Sequence, residues 1–206
     1  MKLYYAPGAC SLAAHIALRE AGFQTEIEKV DLGAKKTERG ADYWSINPKG
    51  YVPALQLDNG EILTEVSAVL QYVADQKPSA NLLPAVGSKE RYRVLEWIGF
   101  IATEIHKGFG PLWNPKTPEA YRAIAVETLA KRLQYLESQL GQQYLTGAQF
   151  TVADAYAFTV VSWANYHKVD LAPYAQLRAF LDRVAARPAV RAAMRAEGLI
   201  KEKVEA

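Results

Sequence analysis

The chain has 206 residues, of which half are apolar and 22% are charged, a composition typical of a folded protein and not of a disordered one. Its 24 basic and 22 acidic side chains leave a formal net charge of only +2, which argues against a nucleic-acid partner. No apolar stretch reaches the ~20 residues of a membrane span, and Pro7-Gly8 interrupts any signal-peptide core, so we expect a cytoplasmic protein without a membrane partner.

The first part of the chain alternates strand and helix signals. We predict strands at 2–5 and 25–30 around a helix at 11–21, then a hairpin of strands 54–57 and 61–63, then a helix at 65–75. The hairpin prediction rests on Asn59-Gly60 between two apolar runs. A parallel β-α-β crossover followed by a hairpin and a helix is the plan of the thioredoxin-like fold.

The rest of the chain predicts helices only. Residues 77–87 are rich in Pro, Ser, Ala and Gly and indicate a linker. Beyond it we predict a long buried helix at 88–109 that is apolar nearly all round, a helix at 117–140 with Pro118 at its first position, a helix opened by a capping box at Thr151–Asp154, and two shorter helices at 174–186 and 188–196. The predicted fold class is therefore α/β plus all-α, with a thioredoxin-like domain at 1–80 and a helical bundle at 87–206.

Cys10, the single cysteine, lies with Ser11 where the first strand gives way to the first helix. Helix N-termini carry unpaired N–H groups and partial positive charge, and reactive thiols commonly use this position. A packing cysteine beside a serine cap is the equally weighted alternative. Thioredoxins have a C-x-x-C pair here, but the second cysteine is missing, which excludes an intramolecular disulfide. A one-cysteine site needs an external thiol, for which glutathione is the obvious candidate.

Three further places have both a functional and an ordinary interpretation. Pro53 is either a cis proline that exposes the Val52 backbone to a peptide-like ligand or a plain turn proline. Glu65, with the N–H groups of residues 66 and 67, either binds the charged end of a ligand or only suits the start of a helix. His106 shares a helix face with Gly99 and Thr103, which fits a wet cleft, but a hydrogen-bonded core histidine is the simpler interpretation of the residue alone. The three histidines are far apart in sequence, so we predict no metal site.

Taken together, these segments resemble the bacterial beta-class glutathione S-transferases over nearly the whole chain. The order and spacing of the strings, more than any single one, carry the resemblance. They are residues 1–5 and 7–11, 47–50 and 52–55, 63–65, 96–97, 102–109, 150–156, 187–190 and 196–199.

The resemblance implies the glutathione S-transferase fold and a homodimeric enzyme. Such an enzyme conjugates the glutathione thiolate to small, mostly apolar electrophiles, with glutathione as co-substrate and no prosthetic group. The helical domain would contribute the electrophile site and the dimer interface. The implied catalytic residues are Cys10, Ser11 and His106. The implied glutathione-binding residues are Ala9, Cys10, Lys35, Val52, Pro53, Glu65, Val66, Ser67, Gly99, Thr103, Glu104, His106 and Lys107.

Two positions depart from the family pattern. Gly99 stands where the family often has Asn, and Val66 stands where it often has Gly or Ser. Gly99 cannot supply the side-chain hydrogen bond of that Asn, and at Val66 a hydroxyl contact is lost or displaced to Ser67. One neutral hydrogen bond is worth ~1 kcal/mol net, so we expect weaker glutathione binding but not its loss.

Other activators and other functions remain open at this point. Tyr5 ranks third as thiol activator, because other transferase classes use an N-terminal tyrosine. Phe109, Trp113 and Tyr166 are the aromatic residues that we expect to line the electrophile pocket. The rival functions are a glutathione-dependent thiol-disulfide oxidoreductase, peroxidase or reductive dehalogenase that uses Cys10, and a non-catalytic binding protein for apolar ligands.

Overall fold

A computed structural model of the chain describes residues 1–201. Contacts divide these residues into two compact units, one formed by Met1–Leu82 with residues 186–201 and the other by Leu83–Ala185. The predicted fold class is confirmed, since the first unit contains a mixed sheet with helices and the second is helical. No described helix combines the length and the apolar character that crossing a membrane requires.

The sheet of the first unit has five strands in the order β3-β2-β1-β4-β5. They are β1 (Lys2–Tyr5), β2 (Glu26–Asp31), β3 (Lys36–Thr37), β4 (Ala54–Gln56) and β5 (Ile62–Thr64). Strand β1 pairs parallel with β2 and antiparallel with β4, and β4 and β5 form the hairpin that Asn59-Gly60 predicts. The sequence gives no signal for β3, which is only two residues long.

Ten α-helices are found among residues 1–201. They are α1 (Ser11–Glu20), α2 (Tyr43–Ile46), α3 (Val66–Gln76), α4 (Lys89–Phe100), α5 (Gly110–Trp113), α6 (Glu119–Gln139), α7 (Val152–Val161), α8 (Trp163–His167), α9 (Ala175–Ala185) and α10 (Pro188–Ala196). A short 3₁₀ helix follows α3 at Pro78–Ala80. Helix α2 was not predicted; it begins where the Asp42 side chain accepts a hydrogen bond from the Trp44 N–H.

Alternating residues of β1 serve two different packing layers of the first unit. Tyr4 belongs to a buried cluster with Val30, Tyr43, Val52 and Ala54. Leu3, one residue earlier, is fully buried with its cross-strand partner Leu55. Helices α1 and α3 pack against each other, and both present fully buried apolar side chains. This packing on both faces fixes the register of the strands that carry the loops described below.

The C-terminal residues cluster with the first unit, whereas the sequence assigned everything beyond residue 87 to the helical domain. The physical reason lies in contacts between α10 and α1. The Arg187 guanidinium donates to both carboxylate oxygens of Glu20, at 2.6 and 2.8 Å, a bidentate and partly buried pair. Distant charge pairs of this kind cannot be read from local sequence patterns.

The predicted helix at 88–109 is not one continuous α-helix. After α4 the chain forms a π-helix at Ile101–His106 and a 3₁₀ turn at Lys107–Phe109 before α5. The Thr103 hydroxyl donates to the Gly99 carbonyl at 3.1 Å. This side-chain bond competes with the backbone hydrogen bonds of the helix near the start of the wider π-helix. The segment is also not buried on all sides as predicted: its buried residues form one stripe, made of Arg91, Val94, Ile98, Ile101, Ile105 and Phe109.

The two other predicted helix starts in the second unit differ in outcome. Pro118 is the N-cap of α6 and not its first helical residue, one position away from the prediction. The capping box that opens α7 is confirmed. The Asp154 carboxylate accepts from the Thr151 N–H at 2.7 Å and from the Thr151 hydroxyl at 2.8 Å, and both residues are buried.

Candidate active site

Three chain segments of the first unit meet at one end of the sheet. Strand β1 ends at Tyr5 and leads to Cys10, and β4 begins with Ala54, which pairs with Tyr4. Strand β5 runs antiparallel to β4 and ends at Thr64, opposite Ala54. The pairing therefore brings together the Cys10 loop, the segment before β4 and the start of α3, which the sequence treats as separate candidates.

Cys10 is the N-cap residue of α1 and is partly buried. Its Sγ lies 3.1 Å from the carbonyl oxygen of Val52, to which it donates. Because a carbonyl oxygen only accepts hydrogen bonds, this contact describes the protonated thiol. The backbone N–H groups of the first turn of α1 supply the partial positive charge of a helix terminus beside the sulfur.

Ser11 plays a different part from Cys10. It is fully buried, and its Oγ lies 3.2 Å from the Ala6 nitrogen and 3.3 Å from the Ala6 oxygen. The hydroxyl thus pairs with the backbone at the end of β1 and closes the loop that carries Cys10. The Ser11 hydroxyl, the second candidate activator, is therefore already bonded to the protein backbone.

Tyr5 is buried next to α1, with its ring centroid 6.3 Å from that of His15. Burial raises the pKa of the Tyr5 phenol above its ordinary value, and the Glu197 carboxylate adds to this effect. A phenol that is harder to ionise is a poorer partner for stabilising a thiolate by proton sharing. This environment agrees with the third rank of Tyr5 among the candidate activators.

The segment before β4 is held by side chains around it. The Val52–Pro53 peptide bond is cis, as the resemblance implied. The backbone oxygen of Tyr51 accepts from the Tyr43 hydroxyl at 2.8 Å and from the Asn47 amide at 2.7 Å. These contacts fix the chain immediately before Val52, whose own carbonyl accepts from the Cys10 thiol.

Lys35, which ends the loop between β2 and β3, also reaches this segment. Its ammonium group donates to the Gly50 oxygen at 2.8 Å and lies 5.3 Å from the ring centroid of Trp44. Lys35 itself has a left-handed backbone, at φ 54°. The lysine is thus a fixed cation close to the turn that precedes Val52.

Glu65 marks the start of α3 and has an unusual backbone, with φ 69° and ψ 123°. A residue with a side chain rarely occupies positive φ outside the left-handed helical region, and such strain concentrates at functional positions. The Glu65 carboxylate is exposed and lies 2.7 Å from the ammonium of Lys49. The N–H groups of Val66 and Ser67 are the first of the helix, before its backbone ladder begins at Ala68.

In the second unit, His106 ends the π-helix and is largely buried. Its Nδ1 lies 2.6 Å from the Tyr156 hydroxyl, and its ring packs edge-on against Trp163 at 5.0 Å. Burial lowers the pKa of His106 to about 4, and the positive charge of Lys107 contributes. At neutral pH the imidazole is therefore uncharged, so it can offer a ligand a hydrogen bond but not a positive charge.

The other candidates on this segment face outward. Gly99, Thr103 and Lys107 are exposed. Glu104 is half-buried, and its carboxylate lies 2.7 Å from the Nε of Arg132. Gly108 permits a close approach of α6, because a Cβ at this position would lie 2.8 Å from the Leu129 side chain.

The aromatic residues expected to line an electrophile pocket separate into two kinds. Trp113 and Tyr166 are exposed and stacked, with ring centroids 5.0 Å apart. Phe109 is fully buried and contacts Trp163 and His167, so it supports the exposed pair without offering a surface of its own. Sequence reasoning missed Trp163 and His167, which helical spacing from Trp113 does not reveal.

Sequence reasoning also missed the buried group of His15 and Glu197. Nδ1 of His15 donates to one carboxylate oxygen of Glu197 at 2.9 Å, and the N–H of Gly8 donates to the other at 3.0 Å. Gly8 precedes Cys10 by two residues, so the C-terminal segment holds the loop that carries the thiol. Among residues 1–201, no group of three or more His, Cys, Asp or Glu side chains could hold a metal ion.

Comparison with known proteins identifies the family. Residues 8–76 match the family described as "Glutathione S-transferase, N-terminal domain", and residues 100–188 match "Glutathione S-transferase, C-terminal domain". The chain is 50% identical to glutathione S-transferase GstA of Escherichia coli O157:H7 over 200 residues, which are 97% of this chain and 100% of that protein. The chain belongs to the glutathione S-transferase family, as its sequence resemblance predicted.

Solved structures agree with this assignment. A sphingomonad glutathione S-transferase complexed with glutathione superposes with a TM-score of 0.94 at 48% identity, covering 97% of this chain and 100% of that one. The bacterial beta-class enzyme of Sphingomonas chungbukensis gives a TM-score of 0.94 at 45% identity, with the same coverage of 97% and 100%. The resemblance to the beta class is thereby confirmed.

Proposed function

We propose that this protein is a glutathione transferase that conjugates the glutathione thiolate to small, mostly apolar electrophiles in the cytoplasm. The observation that carries the proposal is the position of Cys10, an N-cap thiol directed at the backbone of Val52 in a chain of this family. The glutathione complex of a relative with nearly half of its residues identical supports glutathione as the co-substrate.

Thiolate stabilisation is assigned to donors at the start of α1. The Cys10 S–H and the neighbouring backbone N–H groups can donate to the sulfur of bound glutathione, which favours its ionised form. The Cys10 thiol now donates to the Val52 carbonyl, and a ligand whose backbone pairs with Val52 would release it. The buried Ser11 hydroxyl, bonded to Ala6, holds the loop in place and is a weaker candidate for direct contact.

The remaining glutathione contacts follow the charges of a tripeptide. Glu65 would bind the ammonium group, and the N–H groups of Val66 and Ser67 the adjacent carboxylate, as the positive end of α3 favours. Val52, beside Pro53, would pair with the ligand backbone, with Ala9 next to its sulfur. Lys35, His106 and Lys107 would bind the other carboxylate.

A homodimer is the proposed assembly. Gly99 and Thr103 lie exposed on one side of the α4 segment, and Tyr92 on the same helix has 63% of its surface exposed. An exposed stripe of this kind suits a second subunit, to which Gly99, Thr103 and Glu104 would contribute glutathione contacts. The mass in solution, measured by light scattering, tests this assembly: a monomer at working concentration contradicts it.

The electrophile is expected to be apolar and planar. Trp113 and Tyr166 offer exposed, stacked aromatic faces, which favour flat apolar groups over charged ones. The helical domain would supply this part of the site, as the family resemblance implies.

The test combines binding with turnover. Calorimetry should detect glutathione binding to the purified protein, and an aryl halide should be conjugated to glutathione. Cys10→Ala should lower kcat/KM for conjugation about ten- to a hundred-fold, the size expected for one lost hydrogen bond to a charged group, whereas Cys10→Ser should retain more activity. No glutathione binding by the wild type would sink the proposal.

The same variants separate the rival functions. Disulfide reduction that exceeds conjugation and vanishes in Cys10→Ala would assign the protein to the glutathione-dependent oxidoreductases. Binding of apolar dyes without turnover of any electrophile would assign it to the non-catalytic binding proteins.

A further inference from the structure

The backbone carbonyl of Tyr51 accepts two hydrogen bonds from buried side chains, although the Tyr51 side chain itself is 70% exposed. The Tyr43 hydroxyl donates to this oxygen at 2.8 Å, and the Asn47 amide donates to it at 2.7 Å. Because a carbonyl oxygen only accepts hydrogen bonds, the direction of both contacts is fixed. The backbone at residue 51 is therefore held from inside the first unit.

Both donors come from the short helix α2. Tyr43 is its first residue and Asn47 is its C-cap, so the two lie four positions apart on one side of the turn. Tyr43 is completely buried, and only 2% of the surface of Asn47 is exposed. Burial raises the pKa of the Tyr43 phenol to about 12, so the hydroxyl remains a donor at neutral pH.

Helix α2 also packs against the turn that precedes Tyr51. A Cβ at Gly50 would lie 2.6 Å from the Trp44 ring, and the backbone of Gly50 has φ 67°, so both the contact and the conformation require glycine. The Gly50 N–H donates to the Asn47 carbonyl at 2.8 Å. The helix and the turn are thus connected up to the Tyr51 carbonyl.

Val52 comes next in the chain, and it is the residue proposed to pair with the backbone of glutathione. Its side chain belongs to the same buried cluster as Tyr43, and its carbonyl accepts from the Cys10 thiol. A backbone that is already held in its binding geometry loses little freedom when a ligand binds. A weaker hold on Tyr51 should therefore weaken the pairing of a ligand with Val52.

We infer that Tyr43 is a positioning residue for glutathione: its hydroxyl, together with the Asn47 amide, holds the Tyr51 carbonyl and so keeps Val52 in place to pair with the tripeptide backbone. The inference rests on the proposed function for its ligand, whereas the hold on Tyr51 does not depend on that function. Tyr43 acts only through the protein backbone and touches neither glutathione nor the reacting atoms. Every residue involved belongs to the first unit.

The variant that tests the inference is Tyr43→Phe, which removes the hydroxyl and keeps the ring. Its matched control is Tyr4→Phe, because Tyr4 belongs to the same buried cluster and its ring centroid lies 6.0 Å from that of Tyr43. The Tyr4 hydroxyl, however, donates to the Gln56 side chain at 3.4 Å and not to the backbone. Calorimetry measures glutathione affinity in the full-length proteins, and steady-state kinetics give kcat and the KM for glutathione.

We expect Tyr43→Phe to weaken glutathione binding about three- to five-fold, up to the effect of one lost hydrogen bond, because Asn47 still holds the carbonyl. The KM for glutathione should rise by a similar factor, while kcat at saturating glutathione changes less than two-fold. Tyr4→Phe should change the affinity less than two-fold. A loss of affinity below two-fold in a folded Tyr43→Phe protein, or an equal loss in Tyr4→Phe, would overturn the positioning role.

A modified ligand tests whether the effect passes through Val52. In an analogue of glutathione whose cysteinyl N–H is replaced by an ester oxygen, the donor that would pair with the Val52 carbonyl is missing. This analogue should bind the wild type and Tyr43→Phe with affinities that agree within two-fold. If Tyr43→Phe weakens the binding of both ligands equally, its effect does not act through Val52 and the inference is wrong.

Hydrogen exchange in the ligand-free protein tests the hold on the backbone itself. Amides of residues 47–56 should exchange faster in Tyr43→Phe than in the wild type and in Tyr4→Phe. Unchanged exchange in Tyr43→Phe would show that the hydroxyl does not hold this segment, which would also overturn the inference. Failure of the wild type to bind glutathione would instead contradict the proposed function, and the exchange measurement keeps the two failures apart.

Discussion

The carboxylate of Glu197 lies 2.9 Å from Nδ1 of His15, although 182 residues separate the two in the chain. Both side chains are almost completely buried, and the second oxygen of the same carboxylate accepts from the Gly8 N–H at 3.0 Å. One acid from the end of the chain thus satisfies two donors around the Cys10 loop. Glu197 follows α10, so the docking of that helix on α1 brings the carboxylate into place.

Removing this carboxylate should destabilise the protein strongly. Glu197→Ala removes the acceptor of the buried His15 ring and of the partly buried Gly8 N–H, and breaking a buried pair such as His15–Glu197 costs about 3–5 kcal/mol. Denaturant unfolding measures the loss, with the exposed Asp182→Ala as control, which should change stability by less than about 0.5 kcal/mol. If Glu197→Ala lowers the free energy of unfolding by less than about 1 kcal/mol, the Glu197 carboxylate does not hold the Cys10 loop in place.

The strained backbone of Glu65 should lower the free energy of unfolding of the protein. Glu65→Ala and Glu65→Gly both remove the carboxylate, but only glycine adopts φ 69° without steric cost. We therefore expect Glu65→Gly to be about 1 kcal/mol more stable than Glu65→Ala in denaturant unfolding. Both variants should lose glutathione affinity alike, because both lack the anion. Equal stabilities would show that no strain is stored at this position.

Loss of the Asp154 carboxylate from the capping box of α7 should lower the stability of the protein more than loss of a more exposed helix cap. Besides the two donors of Thr151, its carboxylate accepts from the Leu145 N–H at 2.9 Å. Asp154→Ala leaves these groups buried and unpaired, so we expect a loss of about 3 kcal/mol. The comparison is Ser88→Ala at the more open cap of α4, where the expected loss is about 1 kcal/mol. Similar losses of stability in the two variants would show that burial does not strengthen the effect of removing the Asp154 carboxylate.

His106 should make stability depend on pH. Its pKa is about 4 in the folded protein, held down chiefly by burial, and about 6.5 in the unfolded chain. Between these values the unfolded chain binds the extra proton, so the free energy of unfolding rises with pH through this window. The stability is fully present above about pH 6.5, and roughly 3 kcal/mol is lost by pH 4.

The measurement compares the wild type with His106→Gln, whose side chain does not titrate. The difference between their unfolding free energies should change between pH 4 and pH 6.5 and stay constant above it. A constant difference across the whole range would show that the folded imidazole titrates normally. Because the other histidines are present in both proteins, their contribution cancels in the difference.

Local signals located much of the fold. Period-two alternation and Asn59-Gly60 placed the hairpin, and the spacing around Thr151 and Asp154 placed a capped helix. These features depend on neighbours within a few residues, which a single sequence displays. The continuity of the helix at 88–109 was predicted wrongly, because the close approach of α6 at Gly108 depends on tertiary packing, which the local pattern does not show.

The sequence by itself determined the two kinds of domain, the family and the candidate residues near Cys10, because strings of short-range pattern specify them. Only the tertiary structure decided how those residues are used. It buried Ser11 against Ala6, made His106 neutral beside Tyr156, and brought Glu197 to His15. Burial and contacts between distant residues set the protonation and partners of a side chain, and neither is a property of local sequence.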